Sequence, residues 1–378
     1  MAGRLHIAAK GVQDQWLTGE PQFSHFLTQF NRHTKFAIDY TDIQFDNSEL
    51  DFGKTLNFRI PSDQGDAIRN MTLCVTLGDP SSGYEWIPSV ITNMVESAEL
   101  LIGGQIIEKL TGEYIYMYQQ MYNSSDDVEQ TVYFLTGHGY QLGYTNEYTY
   151  FMDLPFYFYR NSKLSIPTCA LTKQIVEVRI KLKNVSELVT GTSPENATAT
   201  IVNCSIYNEY IFLSEPEKNF LMSRPLDYVI TQVQLSSFVM DVGEQTKSVM
   251  LNFVHPVKEL LFVSQSQGYY TYNRMNNITL KFNGQTVFNE DHNFLGYELF
   301  LRHHTNQPVS DYNFYMYSFA LKPEVYYPTG HVNMSRISHK LLTVTLAPTA
   351  QPVATTTRVY AINYNILRIS SGLAGLKF

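Results

Sequence analysis

The chain has 378 residues, which is enough for two domains. Only 16% of its residues are charged, whereas it contains 27 Tyr and 23 Phe, a composition that favours surfaces buried against partners. The net charge is −8 and the cations form no run, which argues against direct binding of nucleic acid. No apolar stretch is long enough to span a membrane.

The first 24 residues are rich in Gly, Gln and Pro and show no sustained apolar period. The sequence therefore predicts an extended N-terminal arm over residues 1–24. Trp16 and Leu17 are large apolar groups that a free tail does not need, so Trp16 is predicted to anchor the arm to a partner.

A first β-module is predicted over residues 25–213, because alternating strands begin at Phe36 and recur with turn residues between them. Gly104, in a Gly-Gly pair, predicts a tight hairpin, since glycine reaches the positive φ that such turns require. Tyr114 and Tyr118 recur at helical spacing, together with Met117 and Met121, and predict a helix within residues 112–135. Cys74, Cys169 and Cys204 lie far apart, which is typical of reduced thiols.

Residues 214–225, which contain two prolines, are predicted to be a linker to a second module over residues 226–378. Short phrases repeat between the modules in the same order. Leu-Asn-Phe occurs at 56–58 and 251–253, and a Gly-Gln pair follows at Gly104 and again at Gly284. The run at 204–214 resembles the run at 360–370. These repeats predict two copies of one β-domain, with Gly284 in a second hairpin turn.

Each module contains about eight predicted strands, which favours jelly rolls over immunoglobulin-like domains of about seven strands. The predicted fold is therefore all-β, with two consecutive eight-stranded antiparallel jelly rolls and a helical insertion in the first.

Candidate chemistry is weak throughout the sequence. His292, His303 and His304 could bind a metal, but a solvated loop or helix end is favoured. An acidic stretch lacks the glycine and terminal glutamate of a calcium loop; its members are Asp42, Asp46, Glu49 and Asp51. Because no nucleophile elbow, phosphate-binding loop or zinc motif occurs, we predict no catalytic, metal or cofactor site.

Three segments resemble the major capsid proteins of large icosahedral nucleocytoplasmic DNA viruses of the chlorovirus and iridovirus type. Residues 11–40 contain the QD-x-x-LTG-x-PQ core followed by FAI, residues 317–337 contain SFAL-x-P and a later SRI, and residues 363–378 contain NYN-x-LRI. The family has a double jelly roll, three copies of which form a pseudo-hexagonal capsomer.

The resemblance implies a non-enzymatic shell protein in a virion capsid that is assembled in the host cytoplasm. It also implies a homotrimer that contacts neighbouring capsomers, with the arm facing minor capsid proteins beneath the shell. Two other functions stay open from the residues alone. One is a carbohydrate-binding jelly roll for host attachment, and the other is a glycoside hydrolase, which requires two facing carboxylates.

Overall fold

A computed structural model describes residues 2–28, 30–46, 49–137, 147–266, 270, 272–306, 313–348 and 353–378. The chain divides into two compact units, Met1–Lys35 and Phe36–Phe378. The first unit contains helices α1 (Ala2–Ala8) and α2 (Asp14–Thr18), neither of which buries a residue. The expectation of an extended arm therefore missed two short helices, and α1 is rich in Ala, Leu and Arg, which are strong helix formers.

The second unit is built from strands. Its first ten strands are β1 (Phe36–Gln44), β2 (Thr55–Ile60), β3 (Ala67–Gly78), β4 (Glu85–Trp86), β5 (Val95–Ile102), β6 (Gln105–Leu110), β7 (Glu147–Asp153), β8 (Val176–Leu182), β9 (Val189–Thr190) and β10 (Ile201–Leu213). The next ten are β11 (Leu226–Met240), β12 (Thr246–Met250), β13 (Pro256–Gln265), β14 (Met275–Phe282), β15 (Gln285–Asp291), β16 (Tyr315–Ser318), β17 (Val332–Asn333), β18 (Lys340–Leu346), β19 (Thr355–Ser370) and β20 (Leu373–Leu376). We call β1–β10 the first module and β11–β20 the second module.

Helices lie between the strands. They are α3 (Val90–Met94), α4 (Gly112–Tyr122), α5 (Ser125–Asp127), α6 (Tyr133–Thr136), α7 (Glu215–Ser223) and α8 (Leu299–His303). Single-turn π-helices precede α6 and α8, at Val128–Val132 and Phe294–Glu298, and short 3₁₀ turns occur at Ser162–Leu164, Thr168–Ala170, Val185–Glu187, Pro194–Asn196 and Met334–Arg336. The helix predicted within residues 112–135 is confirmed as α4 and the turns after it. The segment predicted to be a linker contains α7, with Pro216 in its first turn, where a missing N–H costs no hydrogen bond.

The two modules have the same strand order. The first module has sheet 1a, in the order β1-β10-β3-β7, and sheet 1b, in the order β2-β8-β5-β6. The second module has sheet 2a, β11-β19-β13-β16, and sheet 2b, β12-β18-β14-β15. Each module has eight long strands when the short strands β4, β9, β17 and β20 are set aside. Numbered along the chain within each module, these strands have the order 1-8-3-6 in one sheet and 2-7-4-5 in the other, in both modules. This is jelly-roll topology in both modules, and the predicted double jelly roll with a helical insertion is confirmed.

The repeated phrases fall at equivalent places in the two modules. Leu56 and Phe58 are buried on β2, and Leu251 and Phe253 are buried directly after the equivalent strand β12. The paired eleven-residue runs lie on β10 and β19, the last long strand of each module. Within each sandwich, alternate residues point to the core, as on β8, where every second residue is buried.

Candidate assembly surfaces

Helix α4 of the first module packs on the outer face of sheet 2a. It begins at Thr111, whose hydroxyl accepts the N–H of Tyr114 at 3.2 Å, an N-cap that fixes the start of the helix. The Tyr114 ring lies 6.0 Å from the ring of Tyr360 on β19. Tyr116 stacks on Tyr270 of the second module at 4.2 Å between ring centroids. Tyr114, one of the residues that predicted the helix, and Tyr116 therefore form aromatic contacts between the modules.

An ion pair crosses the same contact. Arg358 on β19 makes two hydrogen bonds to the Glu113 carboxylate on α4, at 2.5 and 2.6 Å. The Tyr360 hydroxyl donates to the same carboxylate at 2.5 Å. The Arg358 and Glu113 side chains are only 20% and 9% exposed. A buried bidentate pair of this kind is strongly sensitive to loss of one partner, because the other charge then stays buried and unpaired.

A second charged cluster lies close to α4. The sequence predicts a solvated helix end for His303 and His304, and α8 does end at His303. The His304 side chain, however, is fully buried, with Nε2 at 3.1 Å from Glu259 Oε2 and Nδ1 at 3.3 Å from Glu324 Oε1. Burial alone lowers the pKa of a histidine, but these two carboxylates raise the pKa of His304 to about 9. The prediction was wrong for His304, because its partners lie on segments distant in sequence.

Glu108, on β6, is a buried carboxyl group at the junction of the modules. It lines a cavity of about 380 Å³, to which Lys258 and Ile362 of the second module also contribute. The N–H of Tyr157 donates to Glu108 Oε2 at 2.7 Å. Burial raises the pKa of Glu108 to about 8, although the Tyr157 hydrogen bond lowers it. Glu108 is therefore mostly protonated at neutral pH.

The outer faces of the equivalent sheets 1a and 2a differ in exposure. On sheet 2a, α4 and its neighbours cover the outward side chains of β19, β13 and β16, so that Tyr360, Leu261 and Met316 are at most 1% exposed. The edge strand β11 keeps outward apolar side chains between 37% and 51% exposed on the same face; they are Val229, Leu235 and Val239. On sheet 1a, large outward side chains stay in solvent. Antiparallel register places them on one face; they are Phe36, Ile38, Tyr40, Phe151 and Tyr207, which are between 36% and 67% exposed. Sequence reasoning missed this face, although the alternation in β1 marks it.

The residues singled out from the sequence lie apart from one another. Gly104 has φ +81° in the two-residue turn between β5 and β6, and Gly284 has φ +85° in the equivalent turn between β14 and β15. Both turns have two consecutive residues with positive φ, as type I′ hairpins require. Trp16 lies in α2 and is 89% exposed. Whether these three residues are required stays a prediction.

Across the described residues, no cluster of three or more His, Cys, Asp or Glu side chains could hold a metal ion. In the acidic stretch, Asp46 and Glu49 lie 3.7 Å from Arg59 and Lys54 respectively. The three cysteines are free thiols. No helix in the described part of the chain has the length and apolar character needed to cross a membrane.

Known proteins resemble this chain along its whole length. Residues 24–214 match the family described as major capsid protein N-terminus, and residues 217–375 match the large eukaryotic DNA virus major capsid protein family. The major capsid protein of Paramecium bursaria Chlorella virus 1 is 27% identical, with 100% of both chains covered. That of Pyramimonas orientalis virus is 27% identical, covering 100% of this chain and 99% of its own.

Solved structures have the same fold. PBCV-1 VP54 superposes with a TM-score of 0.81 at 22% identity over 94% of this chain and 100% of its own. The Faustovirus major capsid protein gives 0.76 at 11% identity over 94% of both chains.

Proposed function

We propose that this chain, which belongs to the major capsid protein family of large eukaryotic DNA viruses, forms a homotrimeric, pseudo-hexagonal capsomer. The family consists of structural proteins rather than enzymes, and the chain is a building block of a virion capsid. The proposal concerns how the copies meet: three chains, each with two similar modules, close into a ring of six modules.

The observation that carries the trimer is the unequal covering of two equivalent faces. Edge strands β1 and β11 both keep apolar side chains exposed, but the strands beside them differ. The first module covers β19 and β16 of sheet 2a, whereas the equivalent strands β10 and β7 of sheet 1a keep Tyr207 and Phe151 exposed, next to Phe36, Ile38 and Tyr40 of β1. Five large apolar or aromatic side chains on one sheet face are typical of an interaction surface rather than a solvated one. Since the modules share one topology, the second module of another copy is the natural cover for this face.

Such a contact is heterologous, because the covering side of one module meets a different side of the next. Repeated heterologous contacts either close into a ring or extend into a filament. The contact within each chain already joins two modules in this head-to-tail manner. We propose that the same step, repeated between chains, closes the ring at six modules, which corresponds to three chains.

Light scattering on the purified protein tests the trimer. We expect a mass three times the 43.4 kDa of one chain and loss of the trimer in Tyr40→Asp, because a carboxylate buried at an apolar contact is costly. Val242→Asp is the matched control. Val242 is 66% exposed, close to the 67% of Tyr40, and it lies in the turn after β11 rather than on sheet 1a. A stable wild-type monomer at micromolar concentration would contradict the proposal.

We extend the proposal to the arm and to partners beyond the trimer. The division into arm (1–24), modules (25–213 and 226–378) and linker (214–225) stays part of this proposal. The arm is expected to order against neighbouring capsomers or minor capsid proteins beneath the shell, with Trp16 as its anchor, during assembly in the host cytoplasm. Deletion of residues 1–24 should leave a folded trimer but impair particle formation, as seen by electron microscopy. Normal particles, or loss of the trimer, would show that this role is wrong.

A further inference from the structure

A groove of about 440 Å³ lies on the exposed outer face of sheet 1a, beside the helical insertion. Thr72, Phe151 and Asp153 contribute to it from β3 and β7. Leu135 of α6 and Tyr159 also line it, together with residues of α4 and of the turns that follow that helix. The groove therefore lies on the face that the proposed trimer covers.

The charged groups on the sheet side of the groove already have partners. The Asp153 carboxylate accepts hydrogen bonds from the hydroxyls of Thr72 and Tyr159, each at 2.6 Å. Arg160 donates to the Tyr122 carbonyl at 3.3 Å and to the Asn123 side chain at 2.8 Å. These bonds hold Arg160 at φ +58°, a conformation that is costly for a residue with a side chain. Polar residues such as Gln119, Asp127 and Thr131 also line the groove, but most of its surface is apolar. That apolar surface comes from Val132, Leu135, Phe151, Pro155 and the rings of Tyr118 and Tyr159, so the groove suits an apolar side chain.

The second module carries a helix equivalent to α4. In the first module, β6 is followed directly by α4, which packs on sheet 2a. In the second module, β15 is followed by the π-helix Phe294–Glu298, which continues into α8. Leu295, Leu299 and Phe300 hold this helix to its own module, where each is at most 6% exposed. On its outer side Leu301 is 65% exposed. In the topology of the second module, this helix holds the position that α4 holds in the first module. It presents the large apolar side chain of Leu301 to solvent, whereas α4 covers sheet 2a.

We infer that Leu301 of one copy docks into the groove of the next copy, between Leu135 and Phe151. The inference rests on the proposed trimer and names the side chains that close it. The inference extends a contact that is seen within the chain. There, α4, which follows β6 of the first module, covers part of sheet 2a in the second module; between copies, α8, which follows β15, would cover sheet 1a in the same way. The occupant is therefore a second copy of this chain rather than a small molecule or a different protein.

Substitution of Leu301 is the first test. Leu301→Asp should keep the fold, because the side chain is mostly exposed in the single chain. It should raise the concentration needed for half-assembly of the trimer by about 100-fold or more, since the carboxylate would enter an apolar groove. Val242→Asp should leave assembly unchanged at matched exposure. Leu301→Met should also assemble normally, because it is an apolar replacement of similar volume. A trimer that is unaffected by Leu301→Asp would overturn the docking.

Cross-linking separates failure of the docking from failure of the trimer. A chain carrying Leu301→Cys, Leu135→Cys and Cys169→Ser should give covalent dimers and trimers with a short bismaleimide, whereas either cysteine alone in that background should give none. Cys74 and Cys204 are buried and should contribute little background. If light scattering shows a trimer that does not cross-link, the docking is wrong and the proposed function stands. If wild-type protein is monomeric, the proposed function itself fails.

Discussion

Replacement of Glu108 by Gln should make the protein less sensitive to alkaline pH. Burial raises the pKa of Glu108 from 4.5 to about 8, so the folded state binds this proton more tightly than the unfolded state does. The stabilisation is therefore complete below pH 4.5, declines as the pH rises towards 8 and is lost above it. At about 1.4 kcal/mol per pH unit, the whole range corresponds to about 5 kcal/mol of unfolding free energy. Gln keeps the acceptor for the Tyr157 N–H but has no proton to lose.

Urea denaturation at several pH values between 4.5 and 9 measures this effect. The free energy of unfolding of Glu108→Gln minus that of wild type should increase steadily with pH and level off near pH 8. Glu96→Gln is the control for a Glu-to-Gln replacement, because Glu96 lies on the neighbouring strand β5 with its side chain 46% exposed. A flat difference curve for Glu108→Gln would show that Glu108 is ionised in the folded protein over this pH range and that burial does not raise its pKa.

Two further predictions concern the turns and the ion pair between the modules. Gly104→Val and Gly284→Val should each lower the free energy of unfolding by about 1–2 kcal/mol or more, because valine resists positive φ. The two losses should be similar, since neither glycine has an atom within 4 Å of an added Cβ. Unequal urea midpoints would argue against equivalent turns. Arg358→Met should lower the free energy of unfolding by about 3–5 kcal/mol, because it leaves Glu113 buried and unpaired. Adding Glu113→Gln should restore most of that loss in the same urea assay. A double variant that is no more stable than Arg358→Met would refute the argument from an unpaired buried charge.

The fold was predictable because it rests on patterns that are local in sequence. Strand alternation, the turns at the Gly-Gln pairs and the helical spacing of Tyr114 and Tyr118 are each set by patterns within about ten residues. The duplication was predictable for a related reason. Equivalent positions of the two modules have equivalent surroundings in the core. Leu56 and Leu251, for example, are the same residue type and are both buried.

The assembly surfaces were less predictable because they depend on contacts between distant segments. Glu113 and Arg358 are 245 positions apart, and nothing local marks them as a pair. Glu108 precedes Lys109 in an alternating strand and looks like one of two solvated charges. His304 follows a helix end, where a histidine is usually exposed, but Glu259 and Glu324 enclose it. Burial of these groups is set by how the two modules pack, which periodicity does not report.

The difference between the outer faces of the two modules is consistent with the low charge and the high tyrosine content of the chain. On the outer face of sheet 2a, strands β13, β16 and β19 are covered within every chain, so residues such as Tyr360 and Met316 are buried as soon as one chain has folded. The outer face of sheet 1a has the same topology but keeps Tyr40 and Tyr207 exposed until, in the proposed trimer, another chain covers it. Tyrosine suits this position, because its ring is apolar enough to be buried and its hydroxyl tolerates water beforehand. Few charges and many tyrosines are therefore what a chain needs when one of two equivalent faces must stay soluble before assembly and become buried after it.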